Sequence, residues 1–148
     1  MVRDDNNFDD VRDAFDAGLE TGLAELHSTV LKTLLRNMTR GKDALGNPWK
    51  PIKPSTLQSR KVRTSSTAPL VDTGELRGDI GSTSEVNTAE RYAVIGTTKE
   101  YGKVHEFGAP EAGIPRRPIF GPAAQLAEQK IPDTISEEID VRLKDAEL

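Results

Sequence analysis

One long helical repeat near the start of the chain constrains the fold more than any other feature. Apolar residues recur at steps of three or four and form a continuous stripe at Phe8, Val11, Phe15, Leu19, Leu23, Leu26, Val30 and Leu34. This spacing predicts one amphipathic helix over residues 8 to 38. Gly18 and Gly22 lie inside it and weaken it by about 1 kcal/mol each relative to alanine, so we expect a kink or a close helix contact there.

Short β-prone stretches in the middle of the chain predict a small sheet. Residues 80 to 86 and 91 to 97 are rich in Ile, Val, Thr and Tyr, which indicates two antiparallel strands. A short helix is expected to open at the Pro54-Ser55 pair. Residues 101 to 107 predict one or two further helical turns, with Gly108 as the stop.

The C-terminal region predicts more helix. Two pieces, 122 to 130 and 133 to 146, are expected to be broken at Pro132, because proline removes a helical hydrogen bond. The expected fold class is therefore α+β, with a long N-terminal helix and a C-terminal helix packed on a small antiparallel β-sheet.

Length and composition narrow the classes of function. The 148 residues predict a single domain, 1 to 148, with residues 1 to 7 and 145 to 148 frayed. The chain has no cysteine and two histidines, which excludes disulfides and a Cys/His zinc site, and no cofactor or metal is expected. A formal net charge of -4 argues against a protein that coats nucleic acid. No apolar run approaches the length of a membrane span, so we expect no membrane partner and a cytoplasmic site of synthesis.

A basic stretch follows the first helix. Its charges are Lys50, Lys53, Arg60, Lys61 and Arg63, within a segment rich in Gly, Pro and Ser. A solvated loop explains such a segment most simply. The alternative is a contact surface for an acidic partner or for DNA.

The DTG of PLVDTGELRGDI, residues 69 to 80, is the pattern with which an aspartic protease presents its catalytic carboxylate. Here Glu75 follows Gly74 where the protease needs a small residue, and the supporting Gly-Arg-Asp type turn is missing later in the chain. The better interpretation is a capping box, in which Asp72 caps a short helix and Glu75 reaches back to it. No other catalytic pattern is present, so the sequence predicts a protein that is not an enzyme.

Three segments in this order resemble one family. They are WKPIKPSTLQSRK at residues 49 to 61, PLVDTGELRGDI at 69 to 80, and YGKVHEFGAPEAGIPRRPIFGP at 101 to 122. Together they are similar to the tail-completion and virion-morphogenesis proteins of tailed phages and related archaeal viruses. The resemblance covers about half the chain, and the order and spacing of the segments carry it.

The resemblance implies a virion structural protein of the neck, assembled in the host cytoplasm, that joins tail to head by protein-protein binding. It implies a homo-oligomeric ring, commonly a hexamer, that meets a head-side connector or stopper protein and a tail tube or tail terminator protein, with possible contact to DNA in the neck channel. The alternatives are a DNA-binding accessory module that uses Lys50 to Arg63, and an aspartic hydrolase that uses Asp72.

A ring needs two different surfaces on each subunit. The proline-fixed loop from 109 to 122 is a candidate for one of them, because a rigid segment loses little entropy on docking. The candidate contact residues at this surface are Phe107, Arg116, Arg117, Ile119 and Phe120. The alternative for the apolar three is core packing, and for the two arginines it is ion pairing with Glu106 or Glu111.

Overall fold

The computed structural model describes residues 7 to 60 and 66 to 146. Within these ranges the chain forms five α-helices, one short 3-10 helix (Pro110–Ala112) and a two-stranded antiparallel sheet. The helices are α1 (Phe8–Met38), α2 (Pro54–Arg60), α3 (Glu75–Thr83), α4 (Tyr101–Phe107) and α5 (Phe120–Asp145). The strands are β1 (Glu85–Asn87) and β2 (Tyr92–Val94). This arrangement confirms the α+β prediction.

Helix α1 has the predicted bounds, and its glycines allow a close approach of α5. A Cβ atom at Gly18 would lie 2.6 Å from the Cα of Ile139, and one at Gly22 would lie 2.7 Å from the Cδ1 of Ile135. Positions further along α1 therefore face positions earlier in α5, and the two helices run antiparallel. The predicted close helix contact at Gly18 and Gly22 is confirmed.

Helix α5 is continuous, and the predicted break at Pro132 is wrong. Ile135 and Ile139 pack on α1 beyond the proline, and Ala123 is buried before it. Proline removes one main-chain N–H from the helix. Packing against α1 on both sides of Pro132 holds the helical path despite that loss.

The first strand is shorter than predicted because its expected first half is helical. Leu76 and Ile80 lie one turn apart in α3 and are 4% and 0% exposed, so the helical spacing buries both. Strand β1 starts at Glu85, which pairs with Val94 of β2 in the antiparallel register. The antiparallel pairing is confirmed.

The core lies toward the C-terminal end of α1. Leu34, Met38, Ile80 and Ile119 are fully buried there and belong to one apolar cluster. Val71, Ile95 and Phe120 and other partly buried side chains pack against this cluster. No helix in the described ranges is long and apolar enough to cross a membrane.

Candidate functional site

The three sequence segments meet around the first turn of α5. Helix α5 opens with N–H groups that have no partner inside the helix, and Glu106 of α4 supplies one. Its carboxylate accepts hydrogen bonds from the main-chain N–H of Ile119 (2.5 Å), Phe120 (2.8 Å) and Gly121 (2.9 Å). The positive end of the helix dipole favours a carboxylate at this point. Glu106 therefore joins α4 to α5 as a helix cap from outside the helix.

Sequence reasoning missed this role of Glu106, which it treated as an ion-pair candidate. A signal was present in the sequence. The residues before α5 include no Ser, Thr, Asp or Asn that could cap the helix locally, so an acceptor had to come from elsewhere in the chain.

The first and third segments are joined by two side chains that donate to main-chain carbonyls. The indole N–H of Trp49 donates to the carbonyl of Pro118 at 2.9 Å. Arg117 donates through Nε to the carbonyl of Lys50 (2.7 Å) and through Nη2 to that of Pro51 (3.0 Å). Both side chains are buried. These bonds fix the loop before α5 on the loop after α1.

Arg60 joins the first segment to the second. Its guanidinium donates to the carbonyls of Ala68 and Pro69, each at 2.7 Å, and lies 3.9 Å from the carboxylate of Asp72. Arg60 is 6% exposed. Burial, together with the nearby charge of Arg60, lowers the pKa of Arg117 below its ordinary value. The two buried guanidinium groups thus place positive charge beneath this surface.

The described residues of the basic stretch differ in their exposure to solvent. Arg60 is committed to the internal carbonyls and is not part of an exposed contact surface, because the short helix α2 turns it inward. Lys50 and Lys53 are exposed. Lys61 and Arg63 lie outside the described residues.

The predicted capping box at Asp72 and Glu75 is wrong. Helix α3 begins at Glu75, and Gly74 occupies the N-cap position with a φ of 85° and no side-chain cap hydrogen bond. Glu75 is therefore the first helical residue rather than the third, and it cannot reach back to Asp72 as a capping box requires. Its carboxylate instead pairs with the ammonium group of Lys99 at 2.5 Å.

The candidate contact residues separate by exposure. Phe107 is 72% exposed, and Arg116 is also exposed, with its Nε bonded to the carbonyl of Glu106 at 3.0 Å. Phe120 is partly buried against the core. Ile119 (0% exposed) and Arg117 are internal, so neither is available as a surface contact in this fold. Ile119 is the N-cap residue of α5 and belongs to the apolar cluster, so its side chain is buried.

The two exposed candidate contact residues, Phe107 and Arg116, border an open cleft of about 710 Å³. We call it the basic cleft. Its lining includes five cationic residues and no acidic one: Lys50, Lys53, Arg60, Arg116 and Arg117. Its other walls include Ile52, Phe107, Pro110 and Ile114. The cleft therefore combines apolar surface with positive charge.

His105 lies in the wall of the basic cleft. Its Nδ1 atom is buried and has no hydrogen-bond partner. Burial and the charge of Arg117 lower the pKa of His105 below its ordinary value of 6.5. The neutral imidazole is thus the form that the fold favours at this position.

Comparisons with known proteins find one family model and two relatives that match this chain. The sequence model of the phage virion morphogenesis family matches residues 5–140. A putative capsid assembly protein of Escherichia phage Mu is 33% identical over 75 residues, which cover 47% of this chain and 47% of that protein. An uncharacterised protein of Methanocaldococcus jannaschii is 23% identical over 115 residues, 78% of this chain and 85% of that protein. No solved structure matches the chain.

Proposed function

The chain belongs to the phage virion morphogenesis family, and from this premise we propose that it is a structural component of the neck of a tailed virus. In this role it completes the tail and joins it to the head, and it acts by binding rather than by catalysis. The similarity to a putative capsid assembly protein of phage Mu supports a role in particle assembly.

The exposure of Phe107 is the observation that carries the proposal of a binding role. Phe107 is 72% exposed and lines the basic cleft together with Ile52, Pro110 and Ile114, and contiguous exposed apolar surface of this kind favours binding of a protein partner. Around it, Glu106 accepts a hydrogen bond from the main-chain N–H of Phe120, while Arg117 and Trp49 donate to the carbonyls of Lys50 and Pro118. These bonds build a rigid platform for the exposed residues.

The loop next to Phe107 is ordered in a way that favours docking. Ala109 and Ile114 exchange two main-chain hydrogen bonds, at 2.9 and 3.0 Å, across the short 3-10 helix. Pro115 and Pro118 restrict the segment that follows. A preformed loop loses little conformational entropy on binding.

We propose that copies of the chain assemble as a ring, with six as the expected number. In the proposed neck the ring meets a head-side connector or stopper protein on one side and the tail tube or a terminator protein on the other. Each subunit of such a ring needs two different surfaces that fit each other.

DNA binding is the less favoured alternative for the basic stretch. Arg60 is internal, so Lys50 and Lys53 are the exposed charges of that stretch among the described residues. Within the described part of the stretch, two lysines provide a small phosphate-binding surface compared with the six to ten phosphate contacts of strong duplex binders.

Quantitative mass spectrometry of purified virus particles tests the proposed function. On the order of six or twelve copies of the chain per particle, as a closed ring requires, is the expected result. Hundreds of copies would indicate a tail-tube or capsid subunit instead. Absence from the particle would overturn the structural role and return attention to Asp72.

A further inference from the structure

The N-terminal half of α1 exposes apolar side chains that its own fold does not cover. Phe8 is 76% exposed, Phe15 is 45% exposed and Val11 is 38% exposed. Their spacing of three and four residues places them along one stripe of the helix. The sequence pattern assigned them to the same stripe as the core residues, but the core occupies the other end of α1. This end of the helix thus presents an apolar strip to its surroundings.

Negative charge accompanies this strip. Asp9 and Asp13 are 82% and 72% exposed in their side chains, and Asp10 is exposed as well. Arg12 lies between them and contacts Asp9 at 3.2 Å and Asp13 at 3.3 Å. Three carboxylates against one guanidinium leave a net negative charge. We call this surface, residues 8 to 15 of α1, the acidic end.

The basic cleft lies at the opposite end of the subunit. Trp49, beside the cleft, donates its main-chain N–H to the carbonyl of Gly41, just after α1 ends at Met38. From Phe15 to Met38 the helix rises about 35 Å at 1.5 Å per residue. The two surfaces therefore do not meet within one subunit.

We propose that the acidic end of one copy docks in the basic cleft of the next copy. The aromatic residues Phe8 and Phe15 then pack against Phe107, Pro110 and Ile114 of the neighbour, and the aspartates face its lysines. This inference rests on the proposed ring and names the pair of surfaces that forms it.

Charge favours contact between the acidic end and the basic cleft over contact between two identical surfaces. Two acidic ends facing each other would bring like charges together, and so would two basic clefts. Docking of the acidic end in the basic cleft brings opposite charges together and also packs the apolar side chains of the two surfaces against each other. A contact between two different surfaces is the heterologous type that a ring requires.

Site-directed cross-linking gives a direct test, because the native chain has no cysteine. Arg12→Cys places a thiol on the acidic end, and Thr56→Cys places one at the rim of the basic cleft, where Thr56 is exposed. Neither change removes an aspartate or a lysine of the proposed contact. Each variant is purified, its unfolding is measured against wild type, and the two are mixed with a short bis-maleimide.

The expected product is a mixed dimer in the mixture, with far less dimer from either variant alone. A double variant, Arg12→Cys with Thr56→Cys, should give a ladder of multimers. Dimers formed by Arg12→Cys alone, or no dimer in the mixture at the highest protein concentration attainable, would overturn the proposed docking.

Charge reversal supplies the second test. Asp9→Lys with Asp13→Lys should weaken self-association about tenfold or more, since like charges then face the cleft. Adding Lys50→Glu with Lys53→Glu on the partner surface should restore it. The matched control, Asp133→Lys with Glu137→Lys, changes two exposed carboxylates of α5 that belong neither to the acidic end nor to the lining of the basic cleft, and it should have little effect. Equal weakening in the control, or no rescue, would overturn the pairing.

The outcomes separate this inference from the proposed function. If the chain is present in virus particles at a copy number that fits a ring but gives no mixed cross-link, the neck role stands and the proposed docking is wrong. A chain absent from particles loses the neck role whatever the cross-links show.

Discussion

The carboxylate of Glu106 accepts a hydrogen bond from the main-chain N–H of Phe120 at 2.8 Å, across 14 residues of sequence. This bond connects α4 to the first turn of α5, and the loop that carries Arg116 lies between them. Both ends of that loop are therefore anchored to helices. The exposed surface next to Phe107 therefore depends on Glu106, a buried residue that is 9% exposed.

Replacement of Glu106 by alanine should lower the free energy of unfolding by about 2 to 3 kcal/mol. The change removes an acceptor shared by three main-chain N–H groups at the partly buried start of α5. Glu106→Gln keeps the shape and loses the charge, so we expect a smaller decrease. Urea unfolding followed by far-UV circular dichroism measures both.

Glu111→Ala is the matched control, since Glu111 is an exposed glutamate of the neighbouring 3-10 helix. Its unfolding free energy should stay within about 0.5 kcal/mol of wild type. If Glu106→Ala were as mild as this control, the capping role assigned to Glu106 would be wrong.

Replacement of Gly18 by alanine should destabilise the protein even though alanine favours helix. The new Cβ would lie 2.6 Å from the Cα of Ile139, a main-chain atom that can move only with α5. Overpacking of this kind costs about 1 to 3 kcal/mol, against a gain in helix propensity of at most about 1 kcal/mol. Thermal unfolding of the variant measures the net effect.

Gly78→Ala provides the comparison within the same chain. Gly78 lies in α3, and a Cβ there would meet no atom within 4 Å. The propensity gain then acts alone, so the free energy of unfolding should rise by up to about 1 kcal/mol. Stabilisation by both substitutions would show that α1 and α5 do not approach closely at Gly18.

Periodic patterns made part of the fold predictable. The bounds of α1 follow from an apolar repeat of 31 residues, and Gly18 and Gly22 signalled the helix contact. The break predicted at Pro132 was wrong because the sequence shows only the local cost of a proline in a helix. The packing of α5 on α1, which outweighs that cost, is a tertiary contact. The start of β1 was misplaced for the same reason, since burial of Ile80 against the core decided that its segment is helical.

The candidate site was less predictable because its contacts span long stretches of sequence. The sequence offered Arg117 and Ile119 as candidate contact residues, with ion pairing and core packing as the alternatives, and the fold shows that both are internal. Phe107 and Arg116 were named alongside them and are exposed. Side-chain type alone could not separate these pairs, because each contains one apolar and one basic residue.

Stability should depend on pH through His105. Burial and the charge of Arg117 lower its pKa in the folded state below 6.5, so the unfolded chain binds the proton more readily. The stabilising effect of the neutral side chain is fully present above pH 6.5 and decreases as the pH falls below that value. We expect wild type to show a lower free energy of unfolding at pH 5.5 than at pH 7.5.

His105→Gln should reduce this difference, because glutamine does not titrate. The measurement is urea unfolding at both pH values for both proteins. An undiminished difference in His105→Gln would assign the pH dependence to other groups.

A comparison of Phe107 with Ile119 separates binding from folding. Phe107→Ser should leave the free energy of unfolding within about 0.5 kcal/mol of wild type, because Phe107 is 72% exposed. Ile119→Ser removes a fully buried side chain from the core and should lower it by about 2 to 5 kcal/mol. If Phe107 contacts a partner, its variant should also be incorporated poorly into virus particles despite its intact fold. Normal incorporation of Phe107→Ser would remove this residue from the binding surface, and a loss of folding equal to that of Ile119→Ser would assign it to the core.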